Sequence, residues 1–180
     1  MSDHPYQILA ELAERSGEVF EELPAQENTQ MHWTGIGFDL LDQRCVVSMD
    51  EVAELMRVPA ATRIPGAKSH VLGVANVRGR LMTIVDLAIV FGERSKLPRA
   101  QRRVLAFEEG ESLVGFIVDE SLGMQHFPRD GFTEDIGDLD DKFRPFTRGN
   151  YRAGGTDWPI MSLSALAQDP ELEKLALMGN

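Results

Sequence analysis

The chain has 180 residues, 43% of them hydrophobic and 26% charged, which suits a globular protein of one domain, or two small joined ones, able to bury a core. A net charge of -11 opposes phosphate backbones and argues against nucleic-acid binding, and the lone cysteine, Cys45, excludes an internal disulfide or a cysteine-rich zinc site. No run of about 18 apolar residues is present and the opening MSDHPYQ is no secretory signal, so a cytoplasmic address without membrane insertion is expected.

Residues 1–30 read as a helical extension and linker. Leu9, Leu12, Ala13, Ser16, Phe20 and Leu23 share one helical face, with Glu11, Glu14, Glu18 and Glu21 elsewhere. Gly17 weakens the middle of this amphipathic helix and Pro24 ends it, leaving PAQENTQ as the linker. The helix either packs on the main body or binds a partner.

From Trp33 the period becomes alternating. Thr34, Ile36, Phe38 and Leu40 share one side of a strand, Asp42-Gln43-Arg44 turns the chain, and Cys45 to Met49 returns it. Residues 51–58, EVAELMRV, are ambiguous: Val52, Leu55 and Met56 suit a helix, but Pro59 cuts it short and a strand is open. Residues 62–69 form a loop around Pro65-Gly66. Leu72 to Val77 and Leu81 to Val85 are two apolar strands about an Arg78-Gly79-Arg80 turn. Asp86 stands where a helix N-cap belongs, with residues 87–91 as the helix and Gly92 as its stop. Asn76 and Arg78 are polar groups at the exit of an otherwise apolar strand, which suits either a plain turn tip or a docking point.

Residues 93–103, ERSKLPRAQRR, form a basic stretch without interleaved aromatics, read as a solvated connector. Strands follow at 104–107 and 113–118, with another at 122–127, then an acidic loop over 130–141. Thr83-Ile84-Val85-Asp86-Leu87 resembles Pro159-Ile160-Met161-Ser162-Leu163, each a strand ending in a capping residue, and each preceded by a turn, Arg78-Gly79 or Arg152-Ala153-Gly154-Gly155. The repeat implies two similar, mostly β subdomains, and the short strands with glycine-rich turns favour small barrels.

The chemistry of catalysis is sparse. Gly35-Ile36-Gly37 lacks the third glycine of a dinucleotide loop, since position 40 is Leu40, and Lys68-Ser69 lacks the glycines of a phosphate-binding loop. Asp138, Asp140 and Asp141 lack the spacing of a calcium loop, and His4, His32, His70 and His126 lie far apart. Cys45, in an apolar strand, reads as core rather than nucleophile. No catalytic residue, cofactor or metal is therefore expected.

The stretch IPGAKSHVLGVANVRGRLMTIVDL resembles the signature of the CheW-like chemotaxis coupling proteins, and Leu113 to Asp119 and Pro159 to Leu163 continue the likeness. The resemblance covers about Trp33 to Ala167. The strand from Trp33 to Phe38 and the extended N-terminus look most like the branch of the family that serves pilus-associated twitching motility. The family implies a mostly β fold of two intertwined five-stranded SH3-like barrels over residues 31–170, with short helices and a tail at 171–180. It also implies a non-enzymatic adaptor, recruited to membrane-associated receptor arrays, that bridges the cytoplasmic tips of methyl-accepting chemoreceptors to the regulatory domain of a CheA-type histidine kinase. Asn76, Arg78 and Gly79 match the family's receptor-docking turn, and Val52, Glu54 and Leu55 match an element that meets the kinase or another partner barrel. Val77 replaces the family's usual leucine and Met82-Thr83 its usual Val-Pro, departures that bear on groove shape and partner choice. Two rival readings are a small β-barrel enzyme using Asp86 or Asp119, and a relative that inhibits the kinase by sequestering it.

Overall fold

The computed structural model describes residues 32–172; the expected N-terminal helix and the tail beyond 172 lie outside the described residues. In chain order the strands are β1 (His32–Leu40), β2 (Gln43–Ser48), β3 (Glu54–Arg57), β4 (Val71–Val77), β5 (Arg80–Asp86), β6 (Arg103–Glu109), β7 (Ser112–Val118), β8 (Glu120–Pro128), β9 (Phe132–Thr133), β10 (Thr147–Ala153) and β11 (Thr156–Met161). A short helix α1 (Leu87–Val90) follows β5, and α2 (Leu163–Ala167) follows β11.

The strands make two sheets, a six-stranded one in the order β8-β1-β2-β11-β10-β9 and a five-stranded one in the order β3-β6-β7-β5-β4. The mostly β, two-part architecture expected from the repeat is present, with one sheet a strand larger than expected. The extra strand is β9, two residues of the acidic stretch that pair with Asn150 and Tyr151 of β10. That stretch is not all solvated loop, since Leu139 beyond β9 is buried.

The repeat is visible in the topology. Hairpin β4–β5 and hairpin β10–β11 are each antiparallel, their second strands lie parallel to β7 and β2 respectively, and each runs into a short helix. The two turns match as well: Arg78 and Gly79 have φ of 52° and 81°, Gly154 and Gly155 of 58° and 77°, as a two-residue type I′ connection demands. The halves interlace through exchanged strands. After β2 the chain leaves the first sheet and β3 pairs with β6 of the second; after β7 it returns and β8 pairs with β1 of the first.

One hydrophobic cluster unites both sheets. Phe38 and Leu40 of β1, Cys45 and Val47 of β2, Val85 of β5, Leu105 of β6 and Phe116 of β7 bury against each other, with Leu87 and Leu163 of the helices. Each sheet also encloses its own apolar interior, Ala75, Met82, Ile84, Val104 and Ile117 in one, Val46, Phe127, Tyr151 and Trp158 in the other. Cys45 is fully buried in the shared cluster, as expected, and burial pushes its thiol pKa up, away from reactivity.

Two local expectations shift. The β1–β2 turn falls on Leu41 and Asp42, both at positive φ, one residue earlier than the sequence suggests. Residues 51–58 resolve into the end of a one-turn 3-10 helix (Met49–Glu51) followed by strand β3, not an α-helix. Gly73 sets the path of β4: its φ is 144°, and a β-carbon there would lie 2.1 Å from the carbonyl oxygen of Thr62, which bridges to Val74.

Candidate functional site

The turn after β4 is built from its own polar residues. Asn76 Oδ1 accepts a hydrogen bond from the Gly79 amide at 2.9 Å, so its side chain closes the reversal that Gly79 permits. Arg78 takes the first left-handed position, and its side chain is 80% exposed. Non-glycine residues bear a cost in that conformation, and asparagine is the usual occupant, so arginine is not what the turn alone would select.

The guanidinium of Arg78 lies 2.9 Å from Glu54 on β3. Because β3 and β4 are the two edges of the five-stranded sheet, this contact means the sheet curls until its edges approach. The two groups of residues expected on separate surfaces are therefore neighbours: Asn76, Arg78 and Gly79 on one lip, Glu54 on the other. Leu55, beside Glu54, is 39% exposed. Val52 differs from its two companions; it is half-buried and packs against the shared core, so its contribution is chiefly to packing.

Leu81 was not among the residues singled out from the sequence. It follows the turn on β5 opposite Asn76, and at 66% exposure it is the most exposed of the large apolar residues described. No sequence pattern flags it: Leu81 shares the face of β5 that carries the buried Val85, and only its place beside the turn leaves it outside. An arginine, a carboxylate and an exposed leucine on one rim form a surface that can hydrogen-bond and bury apolar area together.

Asp86 and Asp119, the carboxylates a catalytic reading would need, are engaged elsewhere. Asp86 caps α1 by accepting from the Ala88 amide at 3.1 Å, and it takes both terminal nitrogens of Arg102 at 2.7 and 2.8 Å. Arg102 Nε lies 3.1 Å from Asp119 Oδ1, an ion-pair contact, while Asp119 Oδ2 accepts from the Leu41 amide at 2.8 Å. All three side chains are buried. The expectation of a wholly solvated basic connector thus fails at Arg102, whose partners lie at the ends of β5 and β7. Ser162 caps α2 through the Ala165 amide at 3.2 Å, and Glu51 supports the same helix start by accepting from the Leu163 amide at 2.7 Å. Among the described residues no group of histidine, cysteine or carboxylate side chains could hold a metal ion, and no helix is long and apolar enough to cross a membrane.

Residues 34–171 match the model of the CheW-like domain. Among curated proteins the chain is 42% identical to protein PilI of Pseudomonas aeruginosa, over 91% of this chain and 92% of that protein. It is 25% identical to the chemotaxis protein CheW of Helicobacter pylori, over 72% of this chain and 80% of that one. The crystal structure of the scaffolding protein TtCheW from Thermoanaerobacter tengcongensis superposes with a TM-score of 0.67 at 20% identity, covering 78% of this chain and 96% of that one. That last likeness speaks for the fold.

Proposed function

From the premise that the chain belongs to the CheW-like family, we propose that it is a chemosensory coupling adaptor, linking chemoreceptors to a CheA-type histidine kinase in a type IV pilus system. The similarity to PilI over nearly the whole length supports the pilus assignment. The finer reading is that the rim carrying Arg78 docks the cytoplasmic tip of a receptor, while Glu54 and Leu55 extend the same surface toward the regulatory barrel of the kinase. The adaptor works by stoichiometric bridging in the cytoplasm, at membrane-associated arrays, and catalyses nothing itself. Receptor conformation then biases kinase geometry through adjoining contacts on one rigid body.

The observation that carries the docking role is Arg78 itself: an exposed guanidinium in a conformation better suited to asparagine, paired with Glu54 of β3. A planar guanidinium offers several fixed donors to the acceptors of a helix tip. Replacing Arg78 with glutamate should remove receptor-dependent stimulation of kinase autophosphorylation, by at least about tenfold, while the melting curve stays near wild type. Stimulation at the wild-type level by the Arg78→Glu protein would refute the assignment.

A further inference from the structure

A second surface lies at the opposite end of β4 from Arg78, six residues or about 20 Å away along the strand. There, between the start of β4 and the connector after α1, sits an open cavity of 820 Å³ lined by Arg63, His70, Leu72, Arg94, Arg99 and others. A neighbouring cavity of 760 Å³ shares Arg63, Leu72 and Arg99 with it and adds Val58, Pro59 and Ala61, so the two read as one groove.

Its charge is unusual for a chain of net charge -11. Most described basic side chains have a carboxylate partner, but Arg57, Arg63, Arg94, Arg99, Arg103 and Arg129 form no ion pair among the described residues. All but Arg129 belong to the two segments that border this groove. Arg102 in its floor is neutralised by Asp86, and Glu93 on its rim is bound to Lys142. Arg57 and Arg103, moreover, stand directly opposite one another across β3 and β6, just before Val58 and just after Arg102. Neither of these two lines the groove, so the charge it offers an occupant comes from Arg63, Arg94 and Arg99.

The geometry points to a docking groove for an acidic, amphipathic peptide segment of a partner protein, separate from the Arg78 rim. Three unpaired arginines supply the charge complement. The apolar strip of Val58, Pro59, Ala61 and Leu72 supplies what a small inorganic anion would have no use for. A nucleic acid fits less well, because the chain's overall charge repels a polyanion and no phenyl, phenol or indole ring lines the groove for bases to stack upon.

Fluorescence polarisation with the full chain tests this. The probes are a labelled synthetic peptide of glutamate and leucine at helical spacing, the same peptide with glutamine for glutamate, and a labelled oligothymidylate. The acidic peptide should bind, weaken with added salt, and lose at least about tenfold in affinity in the Arg63→Glu/Arg99→Glu protein. Arg129→Glu and Arg78→Glu should stay within about twofold of wild type, which separates this groove from the receptor rim. Should the double reversal perturb folding, the neutral Arg63→Gln/Arg99→Gln pair gives the same reading with a smaller loss. Equal binding of the glutamine peptide, wild-type binding by both double variants, or equally tight arginine-dependent binding of oligothymidylate would each overturn the proposal.

Discussion

At the scale of the residue, Arg78 separates what the turn requires from what the proposed docking role would require. The ion pair with Glu54 joins an 80% exposed side chain to a 30% exposed one, so it orients the guanidinium and contributes little to stability. Asparagine in the same place would suit the type I′ turn better and leave the Asn76–Gly79 hydrogen bond in place. Arg78→Asn should therefore melt at or slightly above the wild-type temperature, a gain of up to about 1 kcal/mol, and still fail to couple receptor to kinase. A destabilised Arg78→Asn protein would mean that arginine is there for the fold. His70 yields a pH prediction. Burial and the nearby Lys68 lower its pKa below the ordinary imidazole value, so the folded protein takes up that proton less readily than the unfolded chain. Its Nε2 is buried without a partner, consistent with a neutral ring. As pH falls through about 6.5 the unfolded chain gains a proton first, and stability declines until the folded-state value is passed. Urea unfolding at pH 7.5, 6.5 and 5.5 should show that decline, and His70→Phe should flatten it.

At the scale of the element, what could be read from the sequence divides along contact range. The β4–β5 hairpin, the Asp86 and Ser162 caps and the matched second hairpin were legible because Asn76, Gly79, Asp86, Gly154 and Ser162 act on neighbours a few residues away. Strand β3 was not, because Val52, Leu55 and Met56 also fit helical spacing and only pairing with β6 decides between the two. Leu81 reads as one more apolar strand residue, on the same face of β5 as the buried Val85. The Arg78–Glu54 contact depends on how far the sheet curls, which no local pattern reports. Arg102 was illegible for the same reason: its place depends on the ends of β5 and β7 arriving together. That cluster fastens the cap of α1, the connector and the β1–β2 turn, and it has a testable cost. Removing one member of a buried, hydrogen-bonded charge cluster strands the others, at about 3–5 kcal/mol. Arg102→Ala should lose stability of that order. Arg102→Lys should recover only part of it, because a single ammonium cannot make the forked contact with Asp86 and reach Asp119 as well. Full recovery by lysine would show that charge alone matters.

At the scale of the whole unit, the exchange of β3 and β8 bears on how the adaptor could transmit a signal. Each sheet is completed by a strand that follows a hairpin of the other, and one apolar cluster is contributed by both. Neither sheet can therefore lose its structure without exposing the shared core and breaking the other's edge pairing, so the two sheets should behave as parts of one cooperative body. Both tryptophans, Trp33 and Trp158, lie in the six-stranded sheet, which makes their fluorescence a reporter of that sheet alone. Amide signals of Leu105 and Ile117, on β6 and β7, report the five-stranded sheet. Followed side by side in a urea titration, the two reporters should share a midpoint and slope within error. Two separated midpoints would mean that the sheets open independently, and the five-stranded sheet that carries Arg78, Glu54 and Leu55 would then not be held rigid by its neighbour.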